Sequence, residues 1–273
     1  MGSIEFWKMS GSGNDFILID NRNGKIIETD MNRLVERACR RRESVGADGM
    51  IFVMNSNKHD FSWKFFNADG GEVEMCGNGG RCVARFAYLK GIAGREMTFE
   101  TMVGPISADV RDRVVKVLMP TPSGLKTDID LPLEPGCVTM DFINIGVPHV
   151  VIQVENLTDH PVVEQGRSLR YHSMFAPAGT NANFIHVKGR DFIEIRTYER
   201  GVEDETLACG TGAIAAALIA AARGLVASPV MALTKGGEEL MIYFEKDEDL
   251  FGKVWLEGNT SIIYKGEMHE EAL

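Results

Sequence analysis

Residues 76–91 read CGNGGRCVARFAYLKG, and residues 209–224 read CGTGAIAAALIAAARG. The second stretch repeats the outline of the first 133 residues later (76 to 209). Cys, Gly, any residue, Gly opens each; Ala84 and Ala87 fall on Ala217 and Ala220, and Lys90-Gly91 falls on Arg223-Gly224. A basic residue followed by Gly is a helix stop signal, so each stretch predicts a turn entering a helix of about three turns. The second helix is apolar nearly all round, which places it inside something. The same offset carries Gly13-Asn14-Asp15-Phe16 onto Gly146-Val147-Pro148-His149, 47–51 onto 180–184, and Phe65-Phe66-Asn67 onto Tyr198-Glu199-Arg200. Four motifs that keep one offset in order indicate a duplicated chain. The expectation is two similar α/β domains, each with strands around one buried central helix. Residues 1–119 form the first, completed by the tail from about 260 to 273, and residues 120–259 form the second. The boundary is expected near Met119-Pro120-Thr121-Pro122, where Pro and Gly cluster. A two-fold relation between the halves would make the two Cys-Gly turns face each other across a cleft.

The composition of the 273 residues, 44% apolar and 25% charged, is that of a globular protein and excludes disorder, collagen and a coiled coil. A net charge of -10 argues against partners recognised by phosphate neutralisation or an anionic membrane surface. The longest apolar run, Ala213 to Ala222, is ten residues against the ~20 that a bilayer needs. The start, MGSIEFWKMS, carries no secretory pattern, and Phe6 stands where a myristoylation signal after Gly2 wants Ser or Thr. Five cysteines without a disulfide-framework spacing point to a cytoplasmic protein with reduced thiols.

The two Cys-Gly turns carry the chemistry. A thiol at a helix N-terminus is biased toward thiolate by the aligned peptide dipoles, and free N–H groups there bind anions, a carboxylate included. Two such thiols in equivalent positions admit three readings. Metal binding wants further ligands at short spacing, and Cys76 and Cys82 lie six apart with no flanking CxxC or HxxxH. A redox pair wants the CxxC motif, which is absent. Proton transfer at carbon wants one thiolate to remove a proton from one face and one thiol to return a proton to the other, inverting a stereocentre.

MCGNGGRC (Met75 to Cys82) and ERGVEDETLACGTGA (Glu199 to Ala213) resemble the two active-site motifs of the diaminopimelate epimerase family. GSGNDF (Gly11 to Phe16), FFNADG (Phe65 to Gly70), GVPHVV (Gly146 to Val151) and NANF (Asn181 to Phe184) resemble further motifs of that family, in its order. The resemblance spans about residues 4–260. It implies an α/β (α+β) fold of two pseudo-symmetric homologous domains, each a β-barrel-like sheet around a central helix. It implies interconversion of LL- and meso-diaminopimelate, an amino dicarboxylate, for lysine and peptidoglycan, with neither pyridoxal phosphate nor metal. It makes Cys76 and Cys209 the acid–base pair, with His149 and Glu199 assisting their proton transfers. Gly77, Asn78, Gly210 and Thr211 would hold the reacting carboxylate through backbone N–H groups. Asn14, Asn67, Asn181, Glu199 and Arg200 would contact the remaining polar groups; a guanidinium suits the distal carboxylate and a carboxylate the distal ammonium. A homodimer is also implied. Some members have Asn where this chain has Val147 and Gln where it has Gly49, so neither position is assigned a role.

Other features have plainer readings. GSGNDF is a weak dinucleotide fingerprint, since Phe16 replaces its third glycine. His149 alone reads as a structural residue after Pro148, and only the family match makes it functional. Arg40 to Glu43 reads as a solvated helix face, Cys39, Cys82 and Cys137 as packing residues, the methionines as core filler, and Glu267 to Glu271 as a frayed or solvated tail. Closure of the two domains is the expected route to water exclusion, and a Cys76–Cys209 disulfide is the expected result of mild oxidation. The alternatives are a cofactor-independent proline or hydroxyproline racemase, and a thiol-based module that binds or senses without exchanging an α-proton. A proline site leaves Glu199-Arg200 unexplained. The phenazine-pathway isomerases share the fold and lack the two cysteines.

Overall fold

The computed structural model describes residues 3–133, 136–247 and 250–272; residues 1–2 (including Gly2, read above for lipidation), 134–135, 248–249 and 273 lie outside the described residues. The chain divides into two compact units, Met1–Val117 with Gly258–Leu273, and Leu118–Glu257.

The first unit runs β1 (Ile4–Gly11), β2 (Asn14–Asp20), α1 (Glu28–Ala38), β3 (Gly49–Met54), β4 (Phe61–Asn67), α2 (Gly77–Leu89), β5 (Glu96–Thr101), β6 (Gly104–Arg111) and β7 (Val114–Met119). The second runs β8 (Ser123–Leu133), β9 (Gly136–Asn144), β10 (Pro148–Gln153), α3 (Val162–Arg170), β11 (Asn181–Gly189), β12 (Phe192–Glu199), β13 (Asp204–Thr206), α4 (Gly210–Ala222), β14 (Val230–Thr234) and β15 (Glu239–Asp247). The long strand β16 (Leu250–Met268) serves the second unit with its start and the first with its end. Helices α2 and α4 occupy 77–89 and 210–222, so they keep the sequence offset to the residue.

In the first unit β1 through β7 and then β16 are neighbours in order, and β16 pairs back onto β1, closing an eight-stranded barrel. Two links, β2 to β3 and β4 to β5, are parallel; each spans a helical crossover, as parallel pairing demands. One crossover helix, α1, packs outside: Met31, Leu34, Val35 and Ala38 form its buried stripe against Ile17, Ile19, Met50 and Phe52. The other, α2, runs inside, with Gly77 through Ala87 all buried. A strand between two helices is buried on both faces, which is why β2 reads Phe-Ile-Leu-Ile without alternation. The second unit repeats the pairing pattern, β9 through β12 then β14, β15 and β16, with parallel links at β10–β11 and β12–β14. Its α4 is buried from Ala213 to Ala221 on every side, as its composition predicts.

Three details differ from the sequence reading. α1 stops at Ala38, and Arg42 adopts a left-handed φ of 74°, so the run 40–43 is a turn rather than a helix face. That turn sends Arg41 back onto Asp15 (3.1 and 2.7 Å) and Asp48 (2.8 Å). Glu267 is not frayed: it pairs with Glu5 in the strand that closes the barrel. Cys137 is exposed on β9, whereas Cys39 and Cys82 are buried.

Lys8, 4% exposed, also reaches Asp15, at 2.8 Å, and the Gly46 carbonyl. Burial alone would raise the Asp15 pKa. The hydrogen bonds and charges of Arg41 and Lys8 outweigh it and lower the pKa from 3.8 to about 2. A carboxyl whose folded pKa is depressed stabilises above its unfolded pKa, and that contribution fades as pH falls toward the folded one. Asp15→Asn should therefore cost about 2 kcal/mol near neutral pH. In urea titrations the gap from wild type should narrow as pH falls from about 5 to about 3; a gap constant over that range would contradict the assignment.

Candidate active site

In the first unit the site residues gather at the N-terminus of α2. Cys76 is the N-cap residue, extended at φ -143°, and its Sγ accepts a hydrogen bond from the Gly79 N–H at 3.4 Å. The N–H groups of Gly77 and Asn78 have no intrahelical carbonyl to reach, by helix geometry. A chain of side-chain hydrogen bonds runs beside this turn. Arg81, fully buried, donates to Asn78 Oδ1 at 2.9 Å and to the Ser12 hydroxyl. Asn78 Nδ2 donates to Asn14 Oδ1 at 2.8 Å, and Asn14 Nδ2 donates to Asp48 Oδ2 at 3.1 Å. A guanidinium only donates and a carboxylate only accepts, so the two ends orient both amides. Asn67 stands exposed at the end of β4, opposite Gly49.

In the second unit Cys209 is the N-cap of α4, extended at φ -128°, and 8% exposed. Its Sγ lies 3.6 Å from the Thr211 hydroxyl. Gly210 and Thr211 offer N–H groups in the same way as Gly77 and Asn78. His149 is fully buried on β10, and its strand neighbour on β11 is Asn181. Asn181 bridges the Pro148 carbonyl (3.1 Å) and the Arg200 N–H (2.9 Å), which fixes the turn after Glu199. Arg200 also donates to the Ala178 carbonyl at 3.1 Å. Burial first, and then the Arg200 charge, push the His149 pKa down to about 3, so the imidazole is neutral near pH 7.

Thus the first unit brings together Asn14, Cys76, Gly77 and Asn78, with Asn67 at a strand end. The second brings together His149, Asn181 and Arg200 at the ends of three adjacent strands, with Glu199 beside Arg200 and with Cys209, Gly210 and Thr211 at the helix cap. The sequence reading missed the residues that hold these: Asp48, Arg41 and Arg81 in the first unit, Asn183 and Thr197 in the second. Thr197 donates to Asn183 Oδ1 (3.0 Å), and Asn183 lies 3.1 Å from His149. Comparing the repeats points to two of them, because Arg81 falls on Ile214 at the helix offset and Asn183 matches Ile51 by strand register. The glycine at 49 has a local cause: a Cβ there would sit 2.6 Å from the Phe66 carbonyl oxygen and 2.8 Å from the Phe65 ring. No group of three or more His, Cys, Asp or Glu placed to hold a metal occurs among the described residues. No helix among them is long and apolar enough to cross a membrane.

Known proteins place the chain. The family model described as Diaminopimelate epimerase matches residues 6–123 and 142–260, one stretch in each half. The diaminopimelate epimerase of Aquifex aeolicus is 44% identical over 281 residues, covering 99% of each chain. That of Hydrogenobaculum is 46% identical, covering 97% of this chain and 98% of the relative, and that of Archaeoglobus fulgidus is 41% identical, covering 96% and 95%. The same fold is seen in a hydroxyproline epimerase from Agrobacterium vitis (TM-score 0.72, 14% identity, covering 98% of this chain and 93% of that one). It is seen again in a phenazine biosynthesis protein of Bacillus anthracis (TM-score 0.69, 16% identity, covering 98% and 99%). At such identities the two structures speak for the fold, whereas the three sequence relatives and the paired family match speak for more: this chain belongs to the diaminopimelate epimerase family and is an isomerase of the epimerase type.

Proposed function

We propose that the protein converts LL-2,6-diaminopimelate to meso-diaminopimelate by two-base proton transfer, serving lysine and peptidoglycan precursor synthesis in the cytoplasm as a homodimer. The observation that carries this reading is the pair of cysteines capping helices of the same length at the same repeat position. One thiolate Sγ takes the α-proton from one face of the substrate. The electron pair left on carbon delocalises into the α-carboxylate. The other thiol donates its proton to the opposite face, which inverts the centre and regenerates one thiol and one thiolate.

The physical demand is stabilisation of a dianionic carboxylate without an electron sink. Each helix N-terminus carries about +0.5 of an elementary charge and contributes up to ~2 kcal/mol in partly buried geometries. Backbone N–H donors aimed at developing charge in a water-excluded site contribute more, roughly 2.7–4 kcal/mol for one such donor. Gly77, Asn78, Gly210 and Thr211 fill that role in this reading. Arg200 would fork onto the distal carboxylate and Glu199 would accept from the distal ammonium, while Asn14, Asn67 and Asn181 complete recognition. The distal groups distinguish this substrate from proline, which has neither.

Incubation with LL-diaminopimelate in deuterium oxide, without pyridoxal phosphate and with chelator, tests the reading. Wild type should yield meso product with one deuterium at the inverted α-carbon, and Cys76→Ala and Cys209→Ala should yield almost none. Absence of label from wild-type product would reject the substrate, and a mutant of near wild-type rate would reject the two-base step. Arg200→Lys keeps the charge and loses the fork. It should raise KM roughly ten- to a hundredfold, the range of one charge-assisted hydrogen bond, with a smaller effect on kcat. An unchanged KM would remove Arg200 from substrate recognition. Light scattering at micromolar protein should report a dimer; a monomeric mass would count against the homodimer.

A further inference from the structure

Three polar side chains on neighbouring strands of the second unit form a line under the first turn of α4. The Thr197 hydroxyl donates to Asn183 Oδ1 at 3.0 Å. Asn183 Nδ2 donates to the Val150 carbonyl at 2.8 Å and lies 3.1 Å from His149 Nδ1. The Val150 carbonyl can only accept, so the group facing it is the amide NH2 and not the oxygen. That same NH2 faces His149 Nδ1, which must then accept. The ring proton of a neutral imidazole is thereby assigned to Nε2. Nε2 is buried and has no hydrogen-bond partner among the described residues. An unsatisfied buried donor is costly, by about 1–3 kcal/mol, and is explained where a ligand or a reacting group supplies the acceptor.

The duplication shows that the barrel does not need polarity here. By strand register His149, Asn183 and Thr197 correspond to Phe16, Ile51 and Phe65 in the first unit. All three are apolar and buried there, 2%, 0% and 3% exposed. The helix above differs in the same sense. A Cβ on Gly79 would meet Ile51 and Phe16 at 3.3 and 3.7 Å, whereas one on Gly212 would meet Asn183 Oδ1 at 2.4 Å and Thr197 Oγ1 at 3.2 Å. The absent side chain at 212 lets α4 sit directly on the polar line.

We propose that Asn183 is a positioning residue that holds His149 as the neutral imidazole protonated on Nε2, so that His149 acts as a hydrogen-bond donor to an anion in the site and not as the base that deprotonates a thiol. The inference rests on the reaction proposed above for its purpose, but its geometry stands without it. Asn183 itself touches no reacting atom; it acts through the tautomer it selects.

Two-bond 1H–15N correlation spectra of protein labelled at histidine, with His149 assigned by its loss in His149→Gln, read the tautomer directly. Wild type should show the Nε2–H pattern at pH 7. Asn183→Asp puts an acceptor of the same shape beside Nδ1 and should move the proton there, with kcat down at least tenfold and KM changed less than threefold. Asn183→Ser, which removes both amide contacts with less risk to folding, should give mixed tautomers and an intermediate kcat. A wild-type Nδ1–H pattern would overturn the proposal. So would a variant that keeps the wild-type pattern, or one whose tautomer moves while kcat does not. The wild-type spectrum needs no variant and no turnover. Failure of the tautomer assignment therefore remains distinguishable from a failure to epimerise diaminopimelate, which the deuterium experiment reads.

Discussion

The backbone N–H groups in the first turn of a helix have no carbonyl within that helix, and here two such turns belong to helices wrapped in sheet. Burial removes the usual remedy, which is water. In α2 part of the need is met by Cys76, whose sulfur accepts from Gly79; in α4 the cap side chain makes no such bond. The remaining donors sit beside glycines, with little to shield them from a ligand. An apolar helix such as α4 could be buried in many ways. In the proposed reading, ending it at a small, N–H-rich cap gives a carboxylate a place to bind, with a thiol already at hand.

The two units share strand order and helix length, yet their polar groups do not match. The first has a donor-to-acceptor chain, Arg81 to Asn78 to Asn14 to Asp48, anchored outside by Arg41. Their counterparts in the second unit are Ile214, Thr211, Val147 and Thr180. The second has Thr197, Asn183 and His149 in a line, where strand register gives the first Phe65, Ile51 and Phe16. Duplication has thus supplied two equivalent caps, and the residues around each have diverged.

Much of this was legible in the sequence because it was either periodic or duplicated. The helix spans followed from the matched stretches, and the buried character of α4 from its run of alanines and β-branched or leucine positions. The caps followed from Cys-Gly at both starts. The hydrogen-bond chains were not legible in the same way. Asn183 bonds to a strand partner 33 residues earlier and Asn14 to one 34 residues later, and no local pattern announces such a pair. Arg41 looked like one charge among four on a helix face. Only the early end of α1 and the left-handed Arg42 bring it back to Asp15. Glu267 looked like tail because acidic residues cluster there, whereas barrel closure recruits it into a strand. Each case turns on tertiary pairing that overrides a local signal.

The claim on which the rest depends is that one carboxylate is held by backbone N–H groups from two helix caps. A crystal structure of the Cys76→Ala/Cys209→Ala variant with LL-diaminopimelate tests it most directly. The account predicts the α-carboxylate oxygens within about 3 Å of N–H groups from both the Gly77-Asn78 and the Gly210-Thr211 turns. A carboxylate held by only one cap, or by side chains away from both, would contradict it.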